Sequence, residues 1–133
     1  MAMAVQGSLN SALGKIIGLV NATLIVHVIG TITVSAIVLL SSSDRQELHK
    51  LTQVPWYTLL GGILSVIIIY LVARSIPQLG VAVATTAIIV GQVSTALAID
   101  HLGLFGLQPI CFTWWKFVGM LLLAGGALLM LYH

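Results

Sequence analysis

Charge is almost missing from this sequence: five basic and three acidic side chains stand among 133 residues, of which 59% are hydrophobic. Soluble domains carry about a quarter of their residues as Asp, Glu, Lys or Arg. That scarcity, with a mean hydropathy of +1.15, excludes an ordinary soluble fold and implies an integral membrane protein. A net charge of +2 spread over loops lacks the basic stripe that nucleic-acid binding requires. The single cysteine, Cys111, cannot close an internal disulfide, and neither paired cysteines nor a His-Glu-x-x-His is present. No metal and no cofactor are therefore expected. The carboxylates are Asp44, Glu47 and Asp100, and none falls inside an apolar run. Catalysis needs acids, bases or nucleophiles in mutual reach, and one interior histidine among hydroxyls does not supply them, so no enzyme is expected. The opening MAMAVQGSLN has no basic segment followed by a long apolar core, so it does not read as a signal peptide. Nor does any filter-like repeat or ring of charge suggest a channel.

What is present is a series of long apolar runs. A hydrocarbon core about 30 Å thick needs about 20 helical residues at about 1.5 Å each. The pattern predicts an all-α membrane protein treated as one transmembrane domain over 1–133. A half-length helix covers 1–14, and four spans run over about 16–40, 56–73, 79–99 and 110–132. Ser41–Arg45 (SSSDR) stops the first span, 44–54 form a polar loop, and Pro55-Trp56-Tyr57 opens the second, with Arg74 at its far end. Trp114 and Trp115 read as an interfacial belt, and Tyr70 as an interfacial anchor or a cavity-lining hydroxyl.

The polar residues inside these runs are the candidates for function, because lipid cannot hydrogen-bond them and they must face protein or a watery cavity. Gln6 and Asn10, four apart, share a face of the half-length helix. Thr23, His27 and Thr31 form a stripe on the first span, and His27 is the one titratable group near the middle of a span. It is either functional or a neutral imidazole bonded to a neighbouring hydroxyl or carbonyl. In the 79–106 stretch Thr85 and Gln92, seven apart, occupy one flank, while Gly80, Ala84, Ala87 and Gly91 make a helix-packing flank. Gly61 and Ser65 form another small-residue packing strip. Gln6, Asn10, His27, Thr85 and Gln92 are thus the candidate substrate-binding residues. Asp100 is expected at the membrane edge, pairing with Lys116 or capping the turn.

Alternating sides places Lys15 and Arg74 on one face and Arg45, Lys50 and Lys116 on the other, two against three. The positive-inside rule then gives no firm orientation. An antiparallel homodimer follows as one expectation, since oppositely oriented copies create an inverted repeat. A parallel dimer, or a heterodimer with a paralogue, is the competing one.

Four segments carry a family resemblance: AVQGSLNSALGK, PWYTLLGGILS, PQLGVAVATTAIIVGQVSTALAIDHLGLFG and KFVGMLLLAGGALLM. Together they resemble the YdcZ-type small membrane proteins of the drug/metabolite transporter superfamily, relatives of the small multidrug resistance proteins. The resemblance implies a drug/metabolite transporter-like helical bundle in the bacterial inner membrane, carriage of a small-molecule substrate, and polar positions at Gln6, Asn10, Gln92 and Asp100. It also implies a fuller first helix than the half-length one seen here, and it lends no role to His27. The membrane-embedded glutamate of small multidrug resistance proteins has no counterpart. An amide-and-hydroxyl lining then suits a neutral or weakly charged solute better than a lipophilic cation. The expected function is a secondary transporter, an exporter working as a dimer among membrane lipids. The alternative is a non-transporting accessory subunit that docks a partner through its small-residue faces.

Overall fold

The computed structural model describes residues 1–41 and 47–132. Every regular element among them is helical. Helix α1 spans Ala2–Ile17, α2 Leu19–Leu40, α3 Leu60–Leu79, α4 Val81–Leu102 and α5 Trp114–Leu131, with 3-10 segments at Leu48–Gln53, Trp56–Leu59 and Leu104–Gly106. Among the described residues four stretches are long and apolar enough to cross a membrane: Leu19–Leu40, Trp56–Leu79, Val81–Leu102 and Trp114–Leu131. At 16 residues, α1 reaches only about 24 Å. The expected half-length helix and four spans are all present, although the Ser42–Arg45 part of the expected stop lies outside the described residues.

Glycine ends the first helix rather than charge. The half-length helix expected over 1–14 runs past Lys15 to Ile17, because a lysine stem can lie along the helix and carry its ammonium to the interface. The chain turns at Gly18, with φ 86° and ψ 147°, a conformation that a Cβ makes costly. Gly80 repeats this between α3 and α4 (φ 81°, ψ 159°). Arg74 and Pro77 likewise fail to end α3, which continues to Leu79. The last span begins at Trp114, not near Pro109, because the segment before it closes a loop in which the Ile110 N–H donates to the Asp100 carbonyl at 2.8 Å.

The chain forms two compact units, Met1–Gln78 and Leu79–His133. In the first, α1 and α2 pack together, and the clefts they form with α3 give the directions. Gln6 and Asn10 lie opposite Gly61 and Ser65, while Lys15 lies opposite Arg74 and Gln78, so α1 runs parallel to α3. His27 meets Ser65 near one end and Leu19 meets Arg74 near the other, so α2 runs antiparallel to both. Helix α1 meets α3 at Gly7, where a Cβ would stand 2.8 Å from Ile76 Cδ1 and 3.0 Å from Val72 Cγ1. In the second unit α4 packs on α5, and antiparallel register brings Thr86 beside Met130 and Ser94 beside Met120.

Candidate functional site: an amide-lined cleft between α1 and α3

Most hydroxyls inside the spans are satisfied by their own helix. Ser8, Thr23, Thr33, Ser75, Thr86, Ser94 and Thr95 each donate to the carbonyl four residues earlier, at 2.8–2.9 Å. Such back-bonding solves the problem of a hydroxyl in a solvent that cannot bond it. A hydroxyl has one proton, so the sulfurs of Met130 and Met120 near Thr86 and Ser94 are secondary, weak acceptors. These residues need no substrate to explain them.

The exceptions are informative. Among the described residues three polar side chains are buried: Asn10, Ser11 and Thr23. Thr23 is self-satisfied, whereas Asn10, 8% exposed, and Ser11, 4% exposed, have no hydrogen-bond partner among the described residues. No side-chain polar atom among the described residues is both sealed from solvent and unpartnered, so the Asn10 amide and the Ser11 hydroxyl open into clefts. Asn10 lines one of about 300 Å³ with Gln6, Gly7, Gly61 and Ser65, walled by Met3, Ile68, Ile69 and Val72. The i, i+4 spacing of Gln6 and Asn10 on α1 and of Gly61 and Ser65 on α3 aims both pairs at this cleft.

Ser65 also ties the cleft to His27. Its Oγ lies 3.4 Å from His27 Nε2, and His27 Nδ1 lies 2.7 Å from the Thr23 carbonyl oxygen. A carbonyl only accepts, so Nδ1 carries the proton, and in the neutral ring Nε2 must accept the Ser65 O–H. Ser65 then presents lone pairs, not its proton, to anything beside it. The donors of the cleft are the amides of Gln6 and Asn10. On its other side His27 lines a second cleft of about 400 Å³ with Val20, Thr23, Leu24, Val66, Ile67, Tyr70 and Leu71, almost wholly hydrocarbon. The half-buried Tyr70 is therefore a cavity-lining residue.

Of the candidate residues, the first unit brings together Gln6 and Asn10 and, through Ser65, His27. Thr85, half-buried, and Gln92, exposed, stand on α4 in the second unit. Gly61 faces the α1–α3 cleft, and a Cβ there or at Gly91 would meet nothing within 4 Å. Gly80 has its own reason to be glycine in its positive φ, and α4 buries Ala84 but exposes Ala87. The expected Asp100–Lys116 pair does not form: Lys116 Nζ reaches the Cys111 carbonyl at 3.4 Å instead, held there by the loop that precedes α5. Sequence reasoning passed over Ser11, although its position four residues before Lys15 marked a shared face.

Four apolar spans, with a polar cleft that holds no acid among the described residues, define a small multi-pass membrane protein. A family model described as "Putative inner membrane exporter, YdcZ" matches residues 1–129, nearly the whole chain. The chain belongs to this family, the YdcZ-type group of the drug/metabolite transporter superfamily, and is a multi-pass inner-membrane protein. The family description is one of transport, not catalysis. Neither a curated protein nor a solved structure gives a match.

Proposed function

We propose that the protein is a secondary transporter that exports a small polar or weakly charged molecule, with Gln6, Asn10 and Ser65 as its ligand contacts in the α1–α3 cleft. The observation that carries this is Asn10: an amide more than nine-tenths buried, without a partner among the described residues, opening into a cleft. A primary amide has two donors and an acceptor to satisfy, and neither lipid nor its own helix satisfies them. A polar cleft of this volume admits water, and a solute with both acceptors and donors replaces water there at little cost. With no carboxylate among the described residues that line the cleft, a cation gains nothing from them beyond ordinary hydrogen bonds.

His27 supports the site by orienting Ser65. On the second unit Thr85 and Gln92 are the proposed polar contacts of α4. The dimer belongs to the same proposal, since midplane sites in many secondary transporters form between two related helical units that rock against each other.

The test uses purified protein in liposomes, screened by thermal shift against a panel of neutral and singly charged metabolites, with hits carried into counterflow uptake. Asn10→Leu keeps the side-chain size and removes the amide. A buried hydrogen bond to a ligand is worth about 1–3 kcal/mol when one partner is deleted, so hits should bind roughly 5- to 150-fold more weakly to the variant. Hits that stabilise and cross equally well with Asn10→Leu would remove the cleft from the pathway.

A further inference from the structure

A second cleft, of about 320 Å³, lies at the Gly18 end of the first unit and is lined by Ser11, Gly14, Lys15, Leu19, Arg74, Pro77 and Gln78. Two i, i+4 pairs face each other across it, Ser11 with Lys15 on α1 and Arg74 with Gln78 on α3. Neither Lys15 nor Arg74 meets a carboxylate among the described residues. Ser11 is 4% exposed, does not bond back to its own helix, and opens into this cleft.

The simpler account is that the two cations neutralise the C-terminal ends of α1 and α3, but the charges do not balance. Each helix end is worth roughly half a charge, and the N-terminus of α2 at Leu19 returns a positive half. Two full cations outweigh that sum, and helix ends give the Ser11 hydroxyl no partner.

We propose that this cleft is an oxyanion site, in which Lys15 and Arg74 hold a phosphate or carboxylate group while Ser11 and Gln78 donate to its oxygens. A guanidinium and an ammonium on exposed residues that line one cleft with a buried hydroxyl supply charge-assisted hydrogen bonds to an oxyanion, the strong kind. The same chemistry comes from the headgroup of an anionic phospholipid or from a free anion in the adjoining water. The site shares no lining residue with the amide cleft and stands whether or not that cleft carries a solute.

The experiment places the full chain in nanodiscs of phosphatidylcholine, with and without phosphatidylglycerol, and adds inorganic phosphate to the neutral discs in a separate arm. Retained lipid is read by native mass spectrometry and stability by thermal melting. Phosphatidylglycerol that is retained and stabilises identifies the headgroup source; phosphate that stabilises in neutral discs identifies a free anion. Lys15→Gln with Arg74→Gln should weaken the effective anion roughly tenfold or more. Ser11→Ala should weaken it severalfold, and Lys50→Gln in the loop should leave it unchanged. Because the double variant can lose stability for other reasons, Lys15→Arg with Arg74→Lys serves beside it and should retain binding. The site is overturned if neither anion stabilises the protein, if the double glutamine variant responds as the parent does, or if the charge-conserving variant loses the effect too.

Discussion

Gly7 is where the α1–α3 packing is least forgiving, and Gly7→Ala tests whether that contact holds the first unit together. The added methyl would sit 2.8 Å from Ile76 Cδ1 and 3.0 Å from Val72 Cγ1, against ordinary carbon contacts of about 3.5–4.0 Å. Ile76 is buried, so its terminal methyl has little room to swing. Val72, β-branched in a helix, holds nearly one rotamer. Either the Ile76 side chain changes rotamer, or Val72 and the helix positions shift by some tenths of an ångström, at about 1–3 kcal/mol for an overpacked contact, roughly 5- to 150-fold in the folding equilibrium. Alanine's helix propensity, worth about 1 kcal/mol over glycine in water, offsets little of this, because a membrane helix stays helical after its neighbours separate. The assay is reversible unfolding in mixed micelles, run as a double-mutant cycle with Ile76→Val, which deletes the nearer clashing atom. Ile76→Val alone should cost about 0.5–1.5 kcal/mol, yet cost less or even stabilise in the Gly7→Ala background, a coupling of at least about 0.5 kcal/mol. Additive effects, or a neutral Gly7→Ala, would show that α1 does not meet α3 at this point.

Gly18→Ala should destabilise by about 1–3 kcal/mol through its positive φ, whereas Gly30→Ala, inside α2 with open space around it, should change stability by less than about 0.5 kcal/mol; the same unfolding assay compares them. Nitrogen chemical shifts of His27 in the neutral ring should report the proton on Nδ1, facing the Thr23 carbonyl, and a ring protonated on Nε2 would contradict the direction assigned to the Ser65 hydroxyl. Ser65→Ala should free that ring nitrogen and broaden the His27 signals without changing helix content, as read by circular dichroism.

The fold was legible where hydrophobicity decides and illegible where punctuation does. Apolar runs of about twenty residues, three of them free of charge and the fourth carrying only Lys116, forecast four spans because the bilayer leaves few alternatives. The ends were harder, since Lys15, Arg74 and Pro77 look like stops. Lysine and arginine can snorkel, and a proline in the last turn of α3 forfeits one hydrogen bond at a place where the helix is about to end anyway. Gly18 and Gly80 are the true breaks, but nothing in their type separates them from Gly30 or Gly61 inside helices. That distinction lies in φ, and φ follows from how the flanking helices pack.

The same logic sorts the polar residues, and it ranks them differently from hydropathy. A threonine or serine in a span looks costly on a transfer scale, yet its hydroxyl reaches the carbonyl one turn back and the cost disappears. That is why Thr86, Ser94 and Thr95, polar residues inside an apolar span, carry little functional information. An asparagine whose amide makes no such bond retains its full desolvation cost, about 1–3 kcal/mol when left unpaired. Asn10 avoids that cost by opening into a cleft, and Ser11, the next residue in the chain, does so at another. Neighbours in a helix point about 100° apart, so one half-length helix serves two clefts at once. The short helix α1 is therefore the part of the first unit where changes in polarity should alter ligand binding most while altering the packing of the longer helices least.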